Sequence, residues 1–514
     1  MQKLTKEETA ALLAQPNGPE KLAERAPAAF EAAWALFFED GSPAACAFLC
    51  RLAKRREYRE AMAGLLADDR APLLRALAAD APKLRKNAAR LSGELGDAAD
   101  APFIIAALQK EEQRFVRPSQ LLALGSLGGE EAEAFLQTYA VAPPADAAEA
   151  RHAREEQEAL DAARKRFLRL GKHTFTALSA PVEVELRGPD KLGEALAQEL
   201  RQLGYAPAAV HASAVRLHTN DLPGLFRARS FFELLLPASA GVALEPKAIA
   251  QRAGAFLTKL LPACHEGEGP FGYRIEVRGQ ALDRGALAKE IARGLDGPLL
   301  VNAPSDYEIE LRVEQRQNGG ANLYIKLFTL ADHRFDYRLG ALPASMHPAT
   351  AAAVLRSVQA HLSPNARVLD PCCGSGTFLI ERGLLTPCAS LTGVDIAHAA
   401  IDIARKNAEA AHCAAKFIAN DCLRFTAARP YDELIANLPF GNRVGSHDDN
   451  RRLYAGILDR LPQWLKPGAT AILYTMEFTL LKNLIRERPR LSLLSQLRTE
   501  AGGLTPTVFV LKVK

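Results

Sequence analysis

Eight cysteines are scattered along the 514 residues, and none forms a CxxC pair. Cys46 and Cys50 stand one helical turn apart. Cys372 and Cys373 are adjacent, which suits neither a disulfide nor a tetrahedral metal site. A disulfide framework and a zinc module are therefore excluded, no metal is expected, and a reduced, cytoplasmic protein is the plain reading. No uninterrupted apolar stretch reaches the roughly 18 residues that span a bilayer, so no membrane partner is expected. The opening MQKLTKEETAALLAQ is too polar and charged for a secretory signal. Nor is there a strong charge excess: a formal net charge of +4 permits a polyanionic partner without demanding one. What the chain has is 48% hydrophobic and 24% charged residues, the balance of a globular protein. Its length corresponds to about three domains.

Residues 1–168 are rich in Ala and Leu with helical periodicity. LRKNAARLSGELGD (84–97) echoes VRPSQLLALGSLGG (116–129), matching Arg85 with Arg117 and Gly93 with Gly125. A repeat of this length ending in glycine signals stacked helical hairpins and resembles HEAT-like repeats. Such an array offers a concave surface to a partner, either a protein or, through the basic clusters 54–59 and 83–86, RNA. Residues 174–335 form a mixed α+β region. Strands are expected in 175–188, AAVHASAVRLHT, RSFFELLLP, YRIEVRG, DYEIELRVEQ and ANLYIKLFTL, and helices in 190–204 and 286–295. Residues 340–514 alternate helix and strand, which implies a doubly wound, Rossmann-like parallel sheet covered on both faces. The expected fold class is thus multidomain α + α/β.

VLDPCCGSGTFLIE (368–381) is a strand running through a glycine turn into a helix. A nucleoside triphosphate would need a lysine in GxxxxGK[ST], and none is near. A dinucleotide would prefer a third glycine where Leu379 stands, and Asp370 would repel its pyrophosphate. S-adenosylmethionine fits better, because it carries an ammonium and a sulfonium and no phosphate. Gly374 and Gly376 allow close backbone approach, and Asp370 attracts the ammonium. Asp395, ending the next strand, can accept from both ribose hydroxyls. Asp421, after the third strand, can accept from the adenine amino group. Cys372 and Cys373 face the cofactor in this turn as packing groups, with Cys373 among the residues that line it.

The fourth strand ends in Asn437-Leu438-Pro439-Phe440, at the end of the sheet where ligands bind. An exocyclic amino group becomes tetrahedral and partly positive as it is methylated. The Asn437 amide oxygen and the Leu438 carbonyl can accept from it, Pro439 stiffens the turn, and Phe440 offers a face to a flipped base.

DPCCGSGT, VDI, ND and NLPFG together resemble the class I, Rossmann-like methyltransferases that modify exocyclic amino groups. HRFDYRLGALPASMHPATAAAVLR (333–356) is similar to the lead-in of the THUMP-containing RNA methyltransferases, and 174–330 resembles their ferredoxin-like and THUMP segments in layout. The resemblance implies S-adenosylmethionine as methyl donor and a structured RNA substrate, tRNA before rRNA, with N2-methylguanosine as the leading product. It places the cofactor at Asp370, Gly374, Gly376, Asp395 and Asp421, and the chemistry at Asn437 to Phe440. Arg443 and Gly445 match a GxRxG continuation of the tRNA-modifying branch. Leu438 replaces a proline common in relatives, which is expected to loosen the turn, and the helical N-terminal third lies outside the family's layout. The rival readings are an rRNA guanine-N2 enzyme, an adenine-N6 enzyme, a protein glutamine N-methyltransferase, and a non-catalytic RNA-binding adaptor.

Overall fold

The structure, a computed structural model, describes residues 3–514 apart from 148, 168–169, 281–282, 318, 344, 441–446 and 501–503. The chain forms two compact units, Met1–Arg169 and Leu170–Lys514.

The first unit is helical throughout its described residues. Helices Pro43–Leu52, Pro82–Leu95, Arg117–Leu127 and Glu149–Lys165 pack side by side in chain order. Each also packs on a helix that precedes it: Ala26–Phe38, Ala71–Leu77, Ala101–Gln109 and Glu130–Thr138 respectively. The two glycines of the sequence echo explain the stacking. A Cβ on Gly93 would stand 3.0 Å from the Ala123 Cα, and one on Gly125 would stand 2.7 Å from the Ala163 Cα. Each of the two echo segments therefore keeps a glycine where the next helix crosses closely. Buried glutamates tie the pairs together. Arg85 grips Glu111 with two bonds of 2.7 and 2.8 Å, and Arg114 and Tyr139 reach Glu156 at 2.8 and 2.6 Å.

The second unit holds two large sheets. The first has eight strands in the spatial order Pro207–Val210, Ala214–Thr219, Val182–Arg187, Glu233–Val242, Ala321–Leu327, Ile309–Gln315, Phe271–Arg278 and Leu300–Asn302. The single strand expected over 175–188 is two pieces, Thr174–Phe175 and Val182–Arg187, because Pro181 has no N–H to continue a ladder. A 19-residue helix, Pro246–Cys264, occupies a stretch to which the sequence reading assigned no element. Its apolar stripe, Ile249, Ala253, Leu257 and Leu261, is buried against one sheet face. The other face carries paired charges: Arg312 bridges Glu233 and Glu310, and Arg187 bridges Glu185 and Glu314.

The second sheet runs β1 (Ala366–Asp370), β2 (Cys388–Asp395), β3 (Lys416–Ala419), β4 (Tyr431–Asn437), β5 (Leu465–Thr475), β6 (Leu491–Arg498) and β7 (Thr507–Val513), in the order β3-β2-β1-β4-β5-β7-β6. β1 to β5 are parallel, while β7 is antiparallel to both β5 and β6. Two apolar cores cover its faces. The order reverses between β1 and β4, so a crevice opens at their carboxyl ends.

The two sheets are locked into one unit by buried ion pairs. Arg229 grips Glu381 with bonds of 2.7 and 2.8 Å, Tyr337 adds a third at 2.8 Å, and Arg356 meets Glu199 at 2.9 Å. Both glutamates are buried.

Candidate functional site

β1 ends in Asp370, whose side chain is 1% exposed and accepts from the Cys372 N–H at 3.0 Å. Burial pushes this carboxyl up, the Cys372 N–H pulls it down and the charge of Asp395 adds to the rise, leaving it at about 8. A cation placed against it would favour the ionised form.

The glycine turn follows. Gly374 and Gly376 are left-handed, with φ of +51° and +79°. A Cβ on Gly376 would stand 3.2 Å from the Phe417 ring and from Ala404, so the position needs glycine for space as well as for φ. The Gly374 N–H donates to Asp395 Oδ2 at 2.9 Å, and the Ala397 N–H donates to Asp395 Oδ1 at 2.9 Å. Asp395 thus ties the turn to β2 while keeping lone pairs for hydroxyl donors. The Cys373 thiol is buried with its sulfur against Gly393, so its side chain belongs to the core and its backbone to the turn. Cys372 lies beside Cys422, and that contact together with burial holds its thiol well above the usual range, as a neutral packing group. Asp421 stands past β3 and caps a short turn through the Leu423 N–H at 2.9 Å.

β4 brings Asn437 alongside these groups. Its Oδ1 is buried and has no hydrogen-bond partner among the described residues. An orphaned acceptor costs free energy; Gln120 Oε1 and Gln359 Oε1 are also unpartnered, and what sets Asn437 apart is its place at the carboxyl end of β4, beside the crevice. The Leu438 N–H donates to the Tyr474 carbonyl at 2.9 Å, and its side chain is buried. A proline could not make that bond. Leu438 therefore anchors the turn by a ladder bond, which offsets the expected loosening. The Pro439 carbonyl accepts from Tyr454 Oη at 2.5 Å, and the same hydroxyl meets Thr475 Oγ1 at 2.6 Å. Phe440 is half-buried with its ring 6.1 Å from that of Tyr474. Arg443 and Gly445 lie outside the described residues. Beyond β5 a hollow of about 400 Å³ is lined by Met476, Glu477, Phe478, Thr479, Arg498 and Thr505.

Sequence reasoning missed the supports of this site. Asn407 is fully buried. Its Nδ2 reaches the carbonyls of Ser375 at 3.0 Å and Gly340 at 2.9 Å, while its Oδ1 accepts from the Gly340 N–H at 3.1 Å. One signal was available: Asn407 continues the apolar stripe of Ala400, Ile401 and Ala404, where a polar residue is out of place. Tyr454 carries no such signal, because its role depends on three separate segments meeting.

The donor set fits S-adenosylmethionine: a buried carboxyl for an ammonium, a second carboxylate with spare lone pairs for hydroxyls, and a turn too tight for side chains. Comparisons with known proteins agree. The RMKL-like methyltransferase domain family matches residues 336–505. A tRNA (guanine(6)-N2)-methyltransferase of Thermus thermophilus is 31% identical over 301 residues, covering 56% of this chain and 82% of that protein. A ribosomal RNA large subunit methyltransferase K/L of a Psychrobacter species is 33% identical over 113 residues, 21% of this chain and 14% of that one. In fold, TrmN from Thermus thermophilus superposes with a TM-score of 0.51 at 22% identity, over 65% of this chain and 99% of that one. SMU.472, described as a methyltransferase and solved with SAH, superposes with a TM-score of 0.53 at 16% identity, over 66% and 99%. The chain accordingly belongs to the RMKL-like family of S-adenosylmethionine-dependent RNA methyltransferases.

Proposed function

We propose that this enzyme methylates the N2 amino group of a guanine in structured RNA, with tRNA the leading substrate and rRNA the alternative. The observation that carries the reading is the buried, unpartnered Asn437 Oδ1 at the end of β4. An exocyclic amine is the donor it lacks. When bound, S-adenosylmethionine supplies a methyl group carried on a sulfonium. Asp370, Gly374, Gly376, Asp395 and Asp421, with the backbone of Cys373, hold it. Asn437 Oδ1 and the Leu438 carbonyl accept from the amino hydrogens and stabilise the positive charge that develops on nitrogen. Pro439 stiffens the turn that carries that carbonyl, Tyr454 fixes the next one, that of Pro439, and Phe440 stacks on the flipped base. The methylated nitrogen then loses its proton to solvent, and no strong base is needed.

The hollow beyond β5 favours guanine over adenine. Glu477 can accept from a guanine N1–H and Arg498 can donate to O6. An adenine placed with N6 at the reacting position would turn its N1 acceptor toward the Glu477 carboxylate and offer Arg498 only a C2–H. The tRNA reading is supported by the name of the Thermus relative and by its coverage. Within this reading, 174–335 is a ferredoxin-like and THUMP-like RNA-binding domain, 340–514 the methyltransferase domain, and 1–168 a HEAT-like array that holds a further partner. Mass spectrometry of nucleosides from tRNA and rRNA incubated with the enzyme and labelled cofactor tests it. Label in N6-methyladenosine, or in no nucleoside, would reject the guanine reading.

A further inference from the structure

The first unit lies outside the portion that places this chain in its family, and it contains a groove of about 470 Å³. The groove runs between the two echo helices, Pro82–Leu95 and Arg117–Leu127, and the end of Glu149–Lys165. Three cations converge on it: Lys86, Arg90 and Arg166. Elsewhere in this unit arginines are neutralised, Arg85 by Glu111 and Arg114 by Glu156. The groove side differs. Among the described residues Lys86, Arg90 and Arg166 make no ion pair, and Arg166 reaches only the Ser126 hydroxyl. Lys86 lies over the Phe115 ring at 5.6 Å, and Leu122 beside it is 38% exposed. Of the acids on the wall, Glu155 offsets part of the Lys86 charge but is itself paired with Arg151 at 2.9 Å and His152 at 3.3 Å, and Glu94 is exposed. Burial, then the charge of Arg90, lowers the Lys86 ammonium from its usual value against the pull of Glu155, and a bound anion would favour its charged form.

We infer that this groove is a second RNA-binding site, in which Lys86, Arg90 and Arg166 neutralise consecutive phosphates of the substrate RNA while Phe115 and Leu122 meet a ribose or base. The inference rests on the RNA reading of the active site. It favours RNA over an acidic polypeptide because phosphates match unpaired cations spaced along a groove beside an aromatic face.

The test uses the full chain with Lys86→Gln, Arg90→Gln and Arg166→Gln combined, and binding of tRNA between 50 and 300 mM salt. Losing three phosphate contacts should weaken binding about ten- to a hundredfold near 150 mM salt and flatten the salt slope by about two to three. Cofactor affinity and the single-turnover rate at saturating RNA should be unchanged. If the triple variant loses its cooperative unfolding transition, Arg90→Glu alone, at an exposed position, carries the test. A wild-type chain that methylates tRNA, beside a folded variant with unchanged tRNA affinity and slope, overturns the groove and leaves an acidic polypeptide or bare solvent there. A wild-type chain that binds no RNA overturns the substrate reading and the groove with it.

Discussion

Asn437 and Asp370 are both poor choices for stability alone, and each predicts a behaviour that a structural residue would not show. An orphaned buried acceptor costs about 1–3 kcal/mol. Asn437→Ala should therefore leave the unfolding midpoint unchanged or raised. Losing a preorganised partner of the reacting nitrogen should also cut turnover by about 10²–10³. Cofactor and RNA affinity should stay near wild type, because the interaction strengthens only as charge develops. Single-turnover methylation with saturating enzyme, beside thermal unfolding, checks both directions. A wild-type rate would return the turn to a structural role.

Asp370 predicts a pH dependence. Its folded carboxyl is raised to about 8 by burial and Asp395, against the Cys372 N–H, while an unfolded Asp titrates near about 4. Across that window the folded, cofactor-free chain keeps a proton that the unfolded chain releases. Stability should fall as pH rises from about 4 to about 8, then level off. Cofactor binding needs the ionised carboxylate, so affinity should rise with pH toward 8 and decline above it as the cofactor's own amine deprotonates. Isothermal titration in buffers of different ionisation heat should show proton release near pH 7, and Asp370→Asn should abolish both slopes. Equal affinity at pH 6 and pH 8 would separate Asp370 from the ammonium.

At the scale of elements, the turn after β4 is held from both sides, by the Leu438 N–H on the Tyr474 carbonyl and by Tyr454 on the Pro439 carbonyl. Tyr454→Phe keeps the packing and removes both hydroxyl bonds, leaving Thr475 Oγ1 without that partner. A loss of about 1–3 kcal/mol in stability is expected. Turnover should drop further than cofactor affinity, because the Pro439 carbonyl released is the next in the turn after the Leu438 carbonyl at the reacting nitrogen. Unfolding curves and a comparison of kcat with cofactor Kd check this. β1 to β5 were legible because each is a short apolar run that alternates with a helix, whereas β6 and β7 were not assigned, and β6 is largely exposed. Helix Pro246–Cys264 was not legible either. It contains Gly254 and Pro262, which weaken a helical reading until packing of Ile249, Ala253 and Leu257 overrides them.

For the whole molecule, Leu170–Lys514 is one compact unit, and the reason is chemical. Glu381, fully desolvated on the helix behind the glycine turn, has Arg229 as its counter-charge, 152 residues away. Removing one partner of a buried pair typically costs about 3–5 kcal/mol. Residues 340–514 alone should therefore be unstable, whereas 170–514 should unfold cooperatively and bind cofactor. Arg229→Met in the full chain should lower the unfolding midpoint by several degrees. Circular dichroism melts of the two fragments and the variant check this. A fragment 340–514 as stable as 170–514 would mean that the buried pair contributes nothing.

The sequence by itself determined the parallel sheet, the glycine turn and the order of Asp370, Asp395, Asp421 and Asn437, because periodicity and strand-end residues are local properties that survive in one dimension. Only the tertiary structure decided what those groups experience. Asp370 is raised to about 8 because of what buries it, Asn437 Oδ1 is an open acceptor because no donor among the described residues reaches it, and Asn407 is a clamp because Gly340 and Ser375 come together on it. The same division holds in the first unit. The echo of Gly93 and Gly125 marked two close helix crossings, but the groove, whose Lys86 and Arg90 make no ion pair among the described residues, exists only once three helices stack. Burial, desolvation and pairing depend on residues far apart in sequence, and no local pattern encodes them.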